Sequence, residues 1–524
     1  MGKGELIMKL NSNTYTGKTL IKGGTLTVTN LMPGGDASAL GASTADAANL
    51  VIEGGTLKVN ATNTSTDRNI QIADTATLCI SQGATSLNGR VTGSQGTLVK
   101  DGNGQLNINY GGLYPVRALI MRGGTIAQGT WNASFGTVDA LVDGNTTWQM
   151  MANNSMSTVP SYQLRTSIAE GKRLTIKGSF RSTIAGAFLG KGYLTIASGG
   201  ARCDLSADFS QFAGELTLTG SEARLTSGVT DMSRLTLRVA NGNTICHMRA
   251  GNKDAVVAPL TVGALADATT ADGTARFGGN GEAYTVGTND QSTSYGGLLT
   301  AATVTKKGKG VWTLTGTGST SDINVEGGQL LIRSATEATT GVIRVADTLR
   351  LQGLTAQVKL LRGGVLTAGL TMNSTGRGTV TGNLTGGKGV LLIKVRSASN
   401  CDKFNVGETL LLNGDTLRIL PLKDDFMTVG QSLKIFTGNL PQVGSTWVID
   451  CKGYEFDDSN LTIDGTLTLK AATGIDGATY DPEGPATVYT LDGQLVGSNL
   501  TRKDQERLPQ GIYIVNGKKR VVNH

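Results

Sequence analysis

One phrase recurs along the chain and limits its fold more than any other feature: an apolar residue, a charged one, Gly-Gly, one further residue, then Leu or Ile. It stands as "IKGGTLTV" at Ile21, "IEGGTLKV" at Ile52, "MRGGTI" at Met121, "VEGGQLLI" at Val325 and "LRGGVLTA" at Leu361. Looser forms are "GTLVK" at Gly96, "GELTLTG" at Gly214 and "DGTLTL" at Asp464. A longer block also repeats: "GKGELIMKLNSNTYTGKTLIKGGTLTV" from Gly2, "KDGNGQLNINYGGLYPVRALIMRGGTI" from Lys100 and "KGKGVWTLTGTGSTSDINVEGGQLLI" from Lys307. Each block holds two short strands with apolar residues at alternate positions, such as Trp312 and Leu314, then Ile323 and Val325. One face of each strand is therefore expected in the core. Gly-Gly supplies backbone angles that β-branched residues cannot adopt, so the chain turns a corner without a long loop.

Strands this short cannot bury an apolar face alone. Stacking on like neighbours buries it and satisfies the backbone groups of each edge. The expected fold is all-β, a right-handed parallel β-helix followed by a small C-terminal antiparallel, sandwich-like domain. Coils of roughly 20 to 25 residues, about 4.8 Å apart, would make the main array on the order of 80 Å long. A β-propeller would need more regular spacing and blade signatures such as Trp-Asp. Composition agrees: 74 glycines, about twice the usual share, occur without a period of three and with only 9 prolines, which excludes collagen and a proline-rich linker. Aromatics are scarce, so aliphatic and small side chains fill the interior. The one helix signal is the Ala-rich patch from Gly41 to Leu50, expected to form a short turn of helix.

The three blocks resemble the autotransporter-associated β-strand repeat, in which a Gly-x-Gly entry and an apolar strand precede "NTYTG" and a Gly-Gly-Thr-Leu strand. The first copy carries the resemblance through Asn13-Thr14-Tyr15-Thr16-Gly17 and Gly23-Gly24-Thr25-Leu26. The copy from Lys307 keeps Trp312-Thr313-Leu314-Thr315-Gly316 but has "STSD" where Tyr-Thr-Gly would stand. "DFSQFAGELTLTG" at Asp208 is a partial copy. "SASNCDKFNVGETLLLNGDTLRI" from Ser397 is similar to the terminal coils of such passengers, with "VGQSLKIFTG" and "STWVIDCKGYEF" as the expected cap. The resemblance implies a passenger-type β-helix and says nothing of ligands.

After Lys470 the texture changes. "AATGIDGATYDPEGP" reads as a linker, followed by two hairpins turning at Asp492-Gly493 and Asn516-Gly517. The tail resembles the C-terminal sorting domain of type IX secretion cargo in Bacteroidetes. The matching elements are the Val-Tyr-x-Leu-x-Gly strand, Leu508-Pro509-x-Gly511-Ile512-Tyr513 and a basic final strand from Lys518 to Val522. The expected organisation is therefore a repeat-bearing β-helix over 1–396, terminal coils and cap over 397–470, a linker over 471–485 and a sorting-like domain over 486–524.

Chemistry-bearing motifs are few. Basic residues number 47 against 40 acidic ones, and they are scattered, which reads as a solvated surface rather than a nucleic-acid footprint. The lysines of "KKGKGVWTLTG", Lys306 to Gly316, are expected to be solvated at a corner. That stretch lacks phosphate-loop spacing, and Gly186 to Gly192 is one residue short of it with no helix following. "DGNGQL" at Asp101 starts like a calcium loop, but Gly112 stands where the closing Glu belongs. Of the two histidines, His524 is the last residue, and His247 sits beside Cys246, where neighbours on a strand face opposite ways. The acidic pairs Asp424-Asp425 and Asp457-Asp458 read as solvated loop charge. The five cysteines (Cys79, Cys203, Cys246, Cys401, Cys451) show no zinc spacing. Cys401 and Cys451 either pair or remain free thiols like the rest. No catalytic, cofactor-binding or metal site is assigned, and no cofactor is expected. Aromatics aligned along one face would favour a glycan-acting β-helix, and the few tryptophans, spread from Trp131 to Trp447, argue against that.

These observations lead to a non-catalytic, secreted or cell-surface β-helix, a stalk, spacer or adhesin-like segment with a sorting or anchoring module. The expected partners are the sorting machinery and host or dietary glycans or cell-surface components, with no nucleic acid and no transmembrane segment. The expected location is extracellular or at the outer-membrane surface. The chain shows no signal peptide and reads as part of a longer protein. The alternative is a β-helix that acts on or binds an acidic polysaccharide.

Overall fold

The computed structural model describes residues 3–523 except 131–132, 137, 152–158, 179–180, 227, 248–258, 279–282, 473–484 and 516–517. Nearly every described element is a strand, and through the repeats the strands pair in parallel with the strand one coil away, as in a parallel β-helix. The chain forms two compact units, Met1–Val358 and Lys359–His524.

In the first unit one sheet runs through Glu5–Met8, Thr25–Val28, Thr56–Val59, Thr75–Ile80, Val91–Asp101, Val116–Met121, Asp139–Val142, Arg165–Ile168, Ala187–Gly190 and Asp208–Phe212. Alternation decides which way each side chain points. In Thr56–Val59, Leu57 and Val59 are buried while Thr56 and Lys58 are half-exposed. Register then aligns like with like: Leu26 pairs with Leu57 and Leu57 with Leu78, building an inward aliphatic row. Thr56 to Thr77 and Leu98 to Leu119 are each one coil, the repeat length expected from sequence. An aromatic stack fills another part of this interior, from Tyr114 through Phe135, Trp148, Tyr162 and Phe188 to Phe209, with successive centroids 5.1–6.2 Å apart. Trp312, Leu314, Ile323 and Val325 are all buried, as their alternation requires.

The second unit continues with parallel pairs such as Val390–Ser397 with Asn413–Pro421 and Lys403–Val406 with Phe436–Gly438. Thr446–Asp450 also pairs in parallel, with Asn413–Pro421, so the coil pattern reaches into the segment expected to be cap. Ser432–Lys434, Thr466–Ala472 and Tyr454–Asp457 then form an antiparallel sheet. It is tied to the coil before it by Ile435 and Phe436, whose N–H groups both donate to the Gly465 carbonyl (3.0 and 3.2 Å).

The C-terminal residues form a four-stranded antiparallel sheet in the order Leu495–Leu500, Ala486–Thr490, Gly511–Val515, Lys518–Val522. Gly493, at φ 85°, makes the first hairpin turn; the turn expected at Asn516-Gly517 lies outside the described residues, as does most of the linker. Ala486, Val488, Tyr513, Val515 and Val522 form the small core of this sheet. Ala47–Asn49 is a turn of 3-10 helix, within the patch expected to be helical. A helix over Arg502–Glu506 was not expected from the sequence. It starts at a capping box in which the Thr501 hydroxyl accepts from the Asp504 N–H and the Asp504 carboxylate accepts from the Thr501 N–H, so two donors are satisfied reciprocally.

Candidate functional site

The chemistry-bearing motifs resolve mostly into structural parts. Lys306 overturns the expectation of solvated lysines: it is 1% exposed. It pairs with Val286 in the coil before and Val325 in the coil after, so its side chain enters the inward aliphatic row. Its ammonium donates to the carbonyls of Lys307 (2.6 Å), Gly308 (3.0 Å) and Gly327 (2.9 Å). Lys100 repeats the device between Leu78 and Met121, donating to Asp101, Gly102 and Gly123 at 2.9–3.0 Å. In both, the lysine closes its own Gly-x-Gly turn and the Gly-Gly corner of the next coil at once. Glycine is needed at that corner, since a Cβ on Gly124 would sit 2.4 Å from the Gly102 carbonyl oxygen and 2.8 Å from the Lys100 ammonium. Desolvation pushes the Lys100 ammonium down to about 8, with Cys79 and Asp101 pulling it partly back. Lys307 is solvated as expected, beside Glu326 at 3.4 Å.

A buried ion pair joins strands of the second unit. Lys394 and Asp402 are both 0% exposed and 2.8 Å apart. Lys394 also donates to the Thr367 hydroxyl and the Ala368 carbonyl. Asp402 accepts from the Thr367 hydroxyl and from the N–H groups of Gly376 and Lys394. Burial pushes its carboxyl up, and Lys394 opposes that rise. With this many partners on each side, the pair fixes geometry rather than offering a reactive group.

The remaining candidates do not converge. Cys246 and His247 lie on the strand Thr244–His247 and their side chains are outside the described residues; so are His524 and Trp131. Lys191 is exposed, and Gly186 to Gly192 runs through a strand with Phe188 in the core rather than a phosphate-binding loop. The Asp101 carboxylate accepts from the Gly102 N–H at 2.7 Å, a turn cap. Asp425 meets Lys423 at 3.2 Å, and Asp458 accepts from the Trp447 indole at 2.8 Å. Cys401 and Cys451 are free thiols, and burial pushes each up to about 11, away from thiolate chemistry. Among the described residues no three His, Cys, Asp or Glu side chains gather as a metal site, and no helix is long and apolar enough to cross a membrane.

Sequence reasoning missed one concave site. A cavity of about 560 Å³ opens on the first unit, lined by residues that include Arg238, Asp267, Thr269, Thr270, Ser294 and Thr315. Four stacked coils supply them. Arg238 and Asp267 come from the ends of the strands Asp231–Val239 and Leu260–Asp267, Ser294 from Thr293–Tyr295, and Thr315 follows Val311–Leu314. The Gly296 N–H donates to both Asp267 carboxylate oxygens, at 3.0 and 2.9 Å. Desolvation pushes the Asp267 carboxyl up, against the pull of Gly296 and Arg238. The Arg238 guanidinium is held by Glu215 at 2.6 Å and donates to the Asp267 backbone carbonyl at 3.0 Å. The only sequence signal was the run "DATTADGT", an Asp followed by hydroxyl residues, which resembles an ordinary loop.

No family model matches the chain. Over 108 residues, 20% of its length, the chain is 39% identical to the adhesin BmaC autotransporter of Brucella suis biovar 1 (strain 1330). The match spans 3% of that protein. A stretch of 108 residues of the chain is thus similar to part of an autotransporter adhesin.

Proposed function

We propose that the chain is a non-catalytic, adhesin-like β-helical segment displayed at the cell surface, a stalk or spacer that also presents a binding face. The observation that carries this reading is the likeness to an adhesin autotransporter on a chain whose strands stack as a parallel β-helix. The fate of the charged groups supports it. Four of the buried ones, Lys100, Lys306, Lys394 and Asp402, are engaged by carbonyls and by each other, which is how a scaffold uses charge. The C-terminal sheet would serve as the sorting or anchoring module for a type IX-like export route, on the strength of its tail motif.

Beads coated with the purified chain should adhere to epithelial cells or matrix above the level of beads coated with an unrelated β-rich protein. The same preparation should release no oligosaccharides from a panel of acidic polysaccharides. Turnover on that panel would replace this reading with the carbohydrate-active one, and bead adhesion at background would remove the adhesin role. For the tail, deletion of 486–524 from a surface-displayed fusion should move the protein from the surface fraction to the cells' interior fractions; unchanged display would exclude a sorting role.

A further inference from the structure

We infer that the cavity around Asp267 is a saccharide subsite, taking the hydroxyl-bearing ring of a neutral sugar. The inference gives the adhesin reading its ligand class and rests on that reading for its meaning to the cell. The cavity's volume of about 560 Å³ lies in the range of roughly 300–1,000 Å³ usual for small-molecule sites.

The chemistry of the wall selects the ligand. Thr269, Thr270, Ser294 and Thr315 bring hydroxyls that each donate and accept, and among the described residues none of the four hydroxyls is engaged in a hydrogen bond. Asp267 is the carboxylate of the wall. Gly296 occupies only one donor's worth of its accepting capacity, leaving lone pairs for two neighbouring hydroxyls of a ring. A carboxylate that accepts from adjacent hydroxyls, ringed by groups that both donate and accept, matches a polyol and little else.

Other ligand classes fit less well. An anion would meet Asp267, while the nearby cation, Arg238, is already neutralised by Glu215. A divalent cation would find one carboxylate and too few anionic donors. An apolar ligand would bury hydroxyls without partners, at a cost of about 1–3 kcal/mol each. Ala266 and Ala271 add a small methyl surface for the C–H face of a ring. Gly296 keeps the site open, since a Cβ there would lie 2.3 Å from the Ala271 methyl and 2.9 Å from the Thr315 hydroxyl.

The test uses the full chain and the methyl glycosides of glucose, galactose and mannose, read by saturation-transfer NMR and titration calorimetry. At least one glycoside should bind, and Asp267→Asn should weaken it tenfold or more while the circular dichroism and melting curve stay unchanged. Ser294→Ala, a milder change, should weaken it two- to fivefold. The inference is overturned by the absence of transfer to all three sugars. It is equally overturned by binding that both variants leave intact, or by tighter binding of a methyl glucuronide than of the neutral sugars. Bead adhesion measured on wild type and Asp267→Asn separates the two readings. Adhesion that persists without any sugar binding sinks the subsite and leaves the adhesin role standing, whereas background adhesion by the wild type sinks the adhesin role itself.

Discussion

At the scale of single residues, the buried lysines do what Gly-Gly corners need. Lys306→Met would keep the stem in the aliphatic row but leave the carbonyls of Lys307, Gly308 and Gly327 without their donor. We expect a loss of about 2–4 kcal/mol in urea denaturation, whereas the solvated Lys307→Ala should cost less than about 0.5 kcal/mol. The pH dependence has a definite sign. Lys100 has its folded value depressed to about 8, below the unfolded value of about 10.4. The unfolded chain therefore binds more protons between those values, and stability from this group rises with pH across that window. The cost of the buried charge is fully present below pH 8 and gone above about pH 10.4. Wild type measured against Lys100→Met from pH 7.5 to 10 should show wild type gaining relative stability; a flat difference would mean that the ammonium is not desolvated.

At the scale of the strand and coil, the alternation of apolar residues made the core legible in advance: Trp312, Leu314, Ile323 and Val325 are inside because of their spacing alone. The same rule would have found Lys306. The strand Thr303–Lys306 alternates half-buried and buried, and Lys306 shares the inward face of Val304. A charge in a glycine-rich turn invites a solvated reading, and only the carbonyls of the neighbouring coil, supplied by stacking, make the inward position tolerable. The Asp267 cavity was illegible for a related reason, since its wall is assembled from four coils whose residues meet only through stacking. The helix Arg502–Glu506 did leave a local trace, Thr501 three residues before Asp504. Thr501→Ala should cost that helix about 1 kcal/mol, read as faster amide exchange over its first turn. In the coil around Lys394 the two partners should behave differently alone and together. Asp402→Ala strands a buried ammonium and should cost about 3–5 kcal/mol, while the double replacement Lys394→Met, Asp402→Leu should recover most of it. A double variant as unstable as the single one would show that the Gly376 and Thr367 contacts matter more than the charge pair.

At the scale of the whole molecule, a solenoid has a problem that a globular domain does not: every array of stacked coils must stop somewhere, and its last strand presents unpaired N–H and C=O groups. In the second unit the parallel pairs give way to the antiparallel sheet of Ser432–Lys434, Tyr454–Asp457 and Thr466–Ala472, which we propose is that stop. The sheet borrows the coil's own backbone through the Gly465 carbonyl, which takes both Ile435 and Phe436 N–H groups. Gly465, at φ 81°, has no room for a side chain there, because a Cβ would lie 2.4 Å from the Phe436 carbonyl oxygen. The C-terminal sheet, by contrast, has a core of its own in Ala486, Val488, Tyr513, Val515 and Val522. Two truncations should therefore part company. Ending the chain at residue 472 removes the C-terminal sheet and keeps the stop, so the protein should stay monodisperse with an unchanged melting curve for the coils. Ending it at residue 450 removes two of the three antiparallel strands and bares both the Phe436–Gly438 region and the apolar side chains Phe456, Leu467 and Leu469 cover. That protein should form edge-to-edge oligomers, visible by light scattering at micromolar concentration, and equal monodispersity of the two truncations would show that the antiparallel sheet is not the stop.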